Sequence, residues 1–126
     1  MNIIISGNRS YADYHHVIDT LDEILPVIHN GQQIKILTGH NSGVDAIVRK
    51  FTNIRNIKSS VYTPLWDSYG RNAGPIRNRA MVKKADSAVL FGSLDDPDIK
   101  YLFDECVKQD VPVQIIDLIP SSKGVD

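Results

Sequence analysis

Short apolar runs separated by stretches of helical periodicity constrain this chain more than any single motif. Asn2–Ser6 is β-branched and stops at Gly7, residues 34–38 stop at Gly39, and Ser87–Phe91 stops at Gly92. Residues 58–63 form a weaker run and 112–117 a fifth. Between the first two, Tyr14, Val17, Ile18, Leu21, Ile24, Leu25 and Ile28 recur three and four residues apart, which predicts a helix. Asp13 is its candidate start cap, and Pro26 is a place for it to kink or end early. Val44, Ile47, Val48 and Phe51 predict a second helix from Gly43 to about Asn53. Residues 64–73, rich in turn formers, read as a loop. Pro75 suits the first turn of a helix to about Lys84, and Asp96 or Asp98 caps another through Lys108. Five short strands alternating with helices predict a parallel sheet covered on both faces. Ligands of such folds bind beyond the carboxyl ends of the strands, so the three glycine turns are expected on one functional edge.

The length, 126 residues, fits one domain, expected over 1–118 with a tail at 119–126. No apolar run is long enough to span a bilayer, and no secretory signal is expected, so a cytoplasmic protein without membrane contact is predicted. The single cysteine, Cys106, excludes an internal disulfide and sits among Leu102 and Phe103 as a core residue. His15, His16, His29 and His40 show no metal spacing, and no cofactor is expected. The formal net charge is −1, yet it is unevenly distributed: −3 over residues 1–45, +8 over 46–84 and −6 over 86–126. A basic middle third in a neutral chain predicts a local anion site.

Four turns could carry chemistry. In Gly7-Asn8-Arg9-Ser10 the glycine allows a sharp bend, and Arg9 is placed to close over an anion. In Gly39-His40-Asn41-Ser42-Gly43-Val44-Asp45, two glycines between strand and helix can cradle phosphate, but the Lys-Ser/Thr ending of a P-loop is missing. Asp45 there either bonds ribose hydroxyls or complements the helix dipole. The densest segment is 66–81: Trp66 and Tyr69 can stack on a base, and Arg71, Arg77 and Asn78 can hold phosphate or carboxylate. Ordinary packing, with Trp66 as a core plug, is the alternative. The turn Gly92-Ser93-Leu94-Asp95-Asp96-Pro97-Asp98 follows a core strand, but its aspartates repel phosphate and suit helix capping.

Taken in order, SGNRSY (6–11), TGHNSGVD (38–45), WDSYGRNAGPIRNRAM (66–81) and the strand after Ala85-Asp86 resemble the YspA/YpsA-like branch of the SLOG superfamily, related to DprA and the LOG phosphoribohydrolases. The resemblance implies a three-layer Rossmann-like α/β fold with a five-stranded parallel sheet in the order 3-2-1-4-5. It implies a site for a nucleotide or nucleotide-derived ligand such as ADP-ribose, with Gly39, Ser42 and Gly43 as cradle and Arg77 and Asn78 at the ligand. His40 stands where the family has a second glycine. The family's Gly-Thr pair and the LOG catalytic glutamate are missing after the fourth strand, where Gly92, Ser93 and, further on, Asp98 stand. Binding is therefore the leading expectation. The alternatives are N-glycosidic hydrolysis with Asp45 or Asp98 as carboxylate, and single-stranded nucleic-acid binding. The acidic last third and a pI near 6.4 argue against the latter. The resemblance also allows a homo-oligomer.

Overall fold

The computed structural model describes residues 1–11 and 13–118; the expected tail at 119–126 lies outside the described residues. Five strands alternate with helices. They are β1 (Asn2–Gly7), β2 (Lys35–Gly39), β3 (Lys58–Tyr62), β4 (Ser87–Phe91) and β5 (Val113–Ile116). All pair in parallel, in the order β3-β2-β1-β4-β5. The helices are α1 (Tyr14–His29), α2 (Val44–Ile54), α3 (Trp66–Tyr69), α4 (Ala73–Lys84) and α5 (Pro97–Lys108). This is the parallel sheet covered on both faces that the strand–helix alternation predicts, in the Rossmann-like order that the family resemblance implies.

The two faces of the sheet follow from the alternation of side chains along a strand. Ile3 and Ile5 of β1 pack with Val17 and Leu21 of α1 and with Val48 and Phe51 of α2. Ile4, between them, packs on the other face with Met81 of α4 and with Ile99, Leu102 and Cys106 of α5. All three isoleucines are fully buried, which is why the central strand reads as an uninterrupted β-branched run. The third run is weaker because β3 is an edge strand, with Lys58, Ser59 and Val61 exposed. Cys106 is buried in the second cluster, and that burial pushes its thiol up to about 11.

Side-chain caps hold the starts of two of the five α-helices, α1 and α5. The Asp13 side chain accepts from the His16 amide at 3.1 Å, and that of Asp96 accepts from the Asp98 amide at 3.0 Å. Pro26 does not end α1, which continues to His29. Its ring faces solvent, and the lost hydrogen bond is offset by Leu25 and Ile28 in the core. Residues 64–73 differ more. The expected loop is broken by α3 and by a 3-10 turn at Gly70–Asn72, and α4 already begins at Ala73. A four-residue helix shows no periodicity, so turn formers dominate its sequence. It closes locally, with Ser68 and Tyr69 amides donating to the Leu65 carbonyl.

Among the described residues no helix is long and apolar enough to cross a membrane, and no cluster of His, Cys, Asp or Glu has the geometry of a metal site.

Candidate functional site

The chain leaves β1 toward β2 on one side, and later crosses to β4 on the other side of β1. The crevice between β1 and β4 at their carboxyl ends is the point where strand order reverses, the usual ligand site of such sheets. Gly7, Gly39 and Gly92 all end up on this edge, at or just after the ends of β1, β2 and β4.

The floor is three loops tied together by their backbones. Asn8 is the hub. Its carbonyl accepts from the Val44 amide at 3.0 Å and from the Tyr11 amide at 3.4 Å, and its amide donates to the Phe91 carbonyl at 3.0 Å. Its side chain donates to Asp96 at 3.0 Å and accepts from the Ser10 amide at 2.8 Å. Ser42 Oγ donates to the Arg9 carbonyl at 2.8 Å. Gly43, at φ +69°, lies so close to this loop that a β-carbon would sit 2.3 Å from the Asn8 carbonyl oxygen. Ser42 and Gly43 are thus spent on joining the two loops, and the first amide of α2 is already satisfied.

Behind the floor lies a buried charge pair at longer range. Asp45 has no exposed surface. It accepts from Ser6 Oγ at 2.5 Å, from Thr38 Oγ1 at 3.5 Å and from the Asn41 amide at 3.3 Å. Burial raises its pKa, and the Ser6 hydroxyl, Arg77, the Asn41 amide and Arg49 act against that rise. The Arg77 guanidinium approaches from α4. Burial weakens its hold on its proton, opposed by Asp45 and then Asp98. Both groups rest against Gly39, where a β-carbon would stand 2.4 Å from Asp45 Oδ2 and 2.5 Å from Arg77 Nη1. The glycine is there to let carboxylate and guanidinium approach. Arg77 Nε and Nη1 are buried without a hydrogen-bond partner, and so is Asn78 Oδ1.

The raised pKa of Asp45 has a testable consequence. Between the unfolded value near ~4 and the raised folded value, the folded chain holds the extra proton, so this group's contribution to stability falls as pH rises. The unfolding free energy of the wild type minus that of Asp45→Asn is therefore expected to shrink as pH rises from about 4 in urea titrations. A difference that stays constant or grows with pH contradicts it.

Arg77 and Asn78 face a cleft of about 750 Å³, a size common for small-molecule sites. Arg9, His40, Trp66 and Arg71 also line it. A small inner cavity of about 20 Å³, bounded by Ser6, Gly7, Arg77 and Asn78, continues it toward the β1–β4 crevice. The structure therefore brings together Arg9, His40, Trp66, Arg71, Arg77 and Asn78, with Gly7 at the inner end. It sets Asn8, Gly39, Ser42, Gly43 and Asp45 behind or beneath the cleft. Tyr69, Gly92 and Ser93 lie outside its lining. Trp66 is no core plug: it is 55% exposed, with its ring edge over Gly74. Arg9 is paired with Asp98 across the cleft mouth.

Two contributions were not anticipated from the sequence. Arg49, four residues after Asp45 on α2, donates to the carbonyls of Gly39 at 2.9 Å and Asn41 at 3.0 Å and so fixes the second loop. The i, i+4 spacing was its only signal. The far wall is the outer stripe of α5, with Asp98, Tyr101, Glu105 and Lys108, which reads in the sequence as an ordinary solvated helix face.

Similarity to known proteins agrees with this architecture. The crystal structure of TM1055, a structural genomics target, superposes with a TM-score of 0.65 at 13% identity, covering 89% of this chain and 71% of that one. At that identity the likeness concerns the fold. No curated protein matches the chain. The sequence pattern of the YspA, cpYpsA-related SLOG family matches residues 1–69, from β1 through α3, more than half of the chain. With that match and the sheet order in agreement, the chain belongs to the YspA, cpYpsA-related SLOG family.

Proposed function

We propose that the chain binds a phosphorylated nucleotide or nucleotide-derived ligand in this cleft. The observation that carries the reading is the Arg77 guanidinium, largely buried, with Nε and Nη1 unpartnered beside the cleft. A buried cation without hydrogen-bond partners is costly, and an anion in the cleft that pairs with the guanidinium offsets part of that cost. Asn78 Oδ1, also unpartnered, suits a ligand hydroxyl. The exposed ring of Trp66 offers a stacking surface for a base.

Calorimetry with 5′-AMP, ADP-ribose, NAD and cyclic nucleotides tests the reading. At least one of them is expected to bind in the micromolar to low millimolar range; no heat from any at millimolar concentration refutes it. Mass spectrometry of material that co-purifies gives the ligand's identity directly.

Hydrolysis of the N-glycosidic bond is the second reading. It needs a carboxylate against the sugar. Asp45 is enclosed, whereas Asp98 lines the cleft, so Asp98 is the residue on which that reading rests. Release of free base, followed by chromatography, distinguishes it from binding alone. A single-stranded nucleic acid would need a continuous basic track, and the α5 wall interrupts one with Asp98, Asp104 and Glu105.

A further inference from the structure

We propose that Asp98 is an internal counter-ion of the free protein, and that it gives up Arg9 to an arriving ligand phosphate, so that Arg9 and Arg77 clasp that phosphate from two sides. The inference rests on the cleft being an anion site, as proposed above.

Arg9, on the loop after β1, and Asp98, in the first turn of α5, form an ion pair although 89 residues apart. Both line the same cleft as Arg77. Asp98 also borders the inner cavity with Arg77 and Asn78. It acts on Arg77 through space without satisfying it, since Nε and Nη1 stay unpartnered. The pair is easily exchanged: its side chains are 57% and 55% exposed, and exposed pairs are weak because water and salt screen them. A phosphate on Arg77 meets the Asp98 carboxylate as a like charge and the Arg9 guanidinium as an opposite one. Two guanidiniums facing one group suit a terminal phosphate dianion better than a diester carrying one charge. Asp98 does not make the α5 cap, which Asp96 supplies, so removing its charge leaves the helix start in place.

The test is calorimetric titration of the wild type, Asp98→Asn and Arg9→Gln with 5′-AMP and with its phosphate methyl ester, plus thermal unfolding in inorganic phosphate. Asp98→Asn is expected to bind 5′-AMP about threefold to tenfold tighter, and Arg9→Gln about as much weaker, with smaller changes for the ester. Unchanged or weaker binding by Asp98→Asn, with the wild type binding 5′-AMP, overturns the proposal and leaves the nucleotide reading standing. If no nucleotide binds but phosphate stabilises Asp98→Asn more than the wild type, the exchange stands and the nucleotide reading falls. If neither protein responds to phosphate or nucleotide, both are lost.

Discussion

On the proposed reading, replacing Arg77 by methionine weakens 5′-AMP binding by about a hundredfold or more, while the protein stays folded. The size follows from the kind of contact. Truncating one partner of a desolvated, hydrogen-bonded charge pair typically costs about 2–5 kcal/mol, and each ~1.4 kcal/mol is tenfold in affinity. Stability should change little, because two effects oppose each other. Methionine removes a buried cation with unpartnered nitrogens, which favours the fold. It also removes an opposite charge that favours ionised Asp45, which disfavours it. Calorimetry and a thermal melt on the same sample check both statements. Undiminished affinity in Arg77→Met would move the anion site elsewhere.

The second large effect falls on stability. Gly43→Ala is expected to cost about 3 kcal/mol or more and to lower Tm by roughly 10 °C. Two separate causes combine there. The backbone is at φ +69°, which disfavours any side chain, and the added methyl would overlap the Asn8 and Arg9 backbone at 2.3–2.5 Å. Gly31→Ala isolates the first cause: Gly31 is at φ +83° with nothing within 4 Å of a β-carbon, so only the conformational cost of about 1 kcal/mol remains. Equal melting shifts for the two variants would mean that the contact between the first two loops is not tight.

These residues also show how much could be read beforehand. The strands were legible because β1, β2 and β4 are interior strands, buried on both faces, and so nearly all apolar. Arg77 and Asn78 stood out by residue type at a helix start. Asp45 did not disclose its direction: ribose contact and dipole complement fit the sequence equally, and its enclosure by Ser6, Thr38 and Gly39 depends on β1 lying beside β2. The Arg9–Asp98 pair joins residues 89 apart in the chain, and a count of charges by segment separates those two residues into different thirds. The α5 wall was hidden for a similar reason. Nothing along a helix tells whether its polar stripe faces open water or the opposite wall of a cleft.

The Asn8 carbonyl, by occupying the first amide of α2 and joining two loops, leaves the sheet edge complete before any ligand arrives. On the proposed reading, recognition is thereby left to side chains: those of Arg9 and His40 on the loops and those projecting from α3, from the segment between α3 and α4, from α4 and from α5. Such a scaffold can exchange one small molecule for another through single substitutions in its walls, without disturbing the chain path that holds it together, and so separates the inheritance of the fold from the inheritance of specificity.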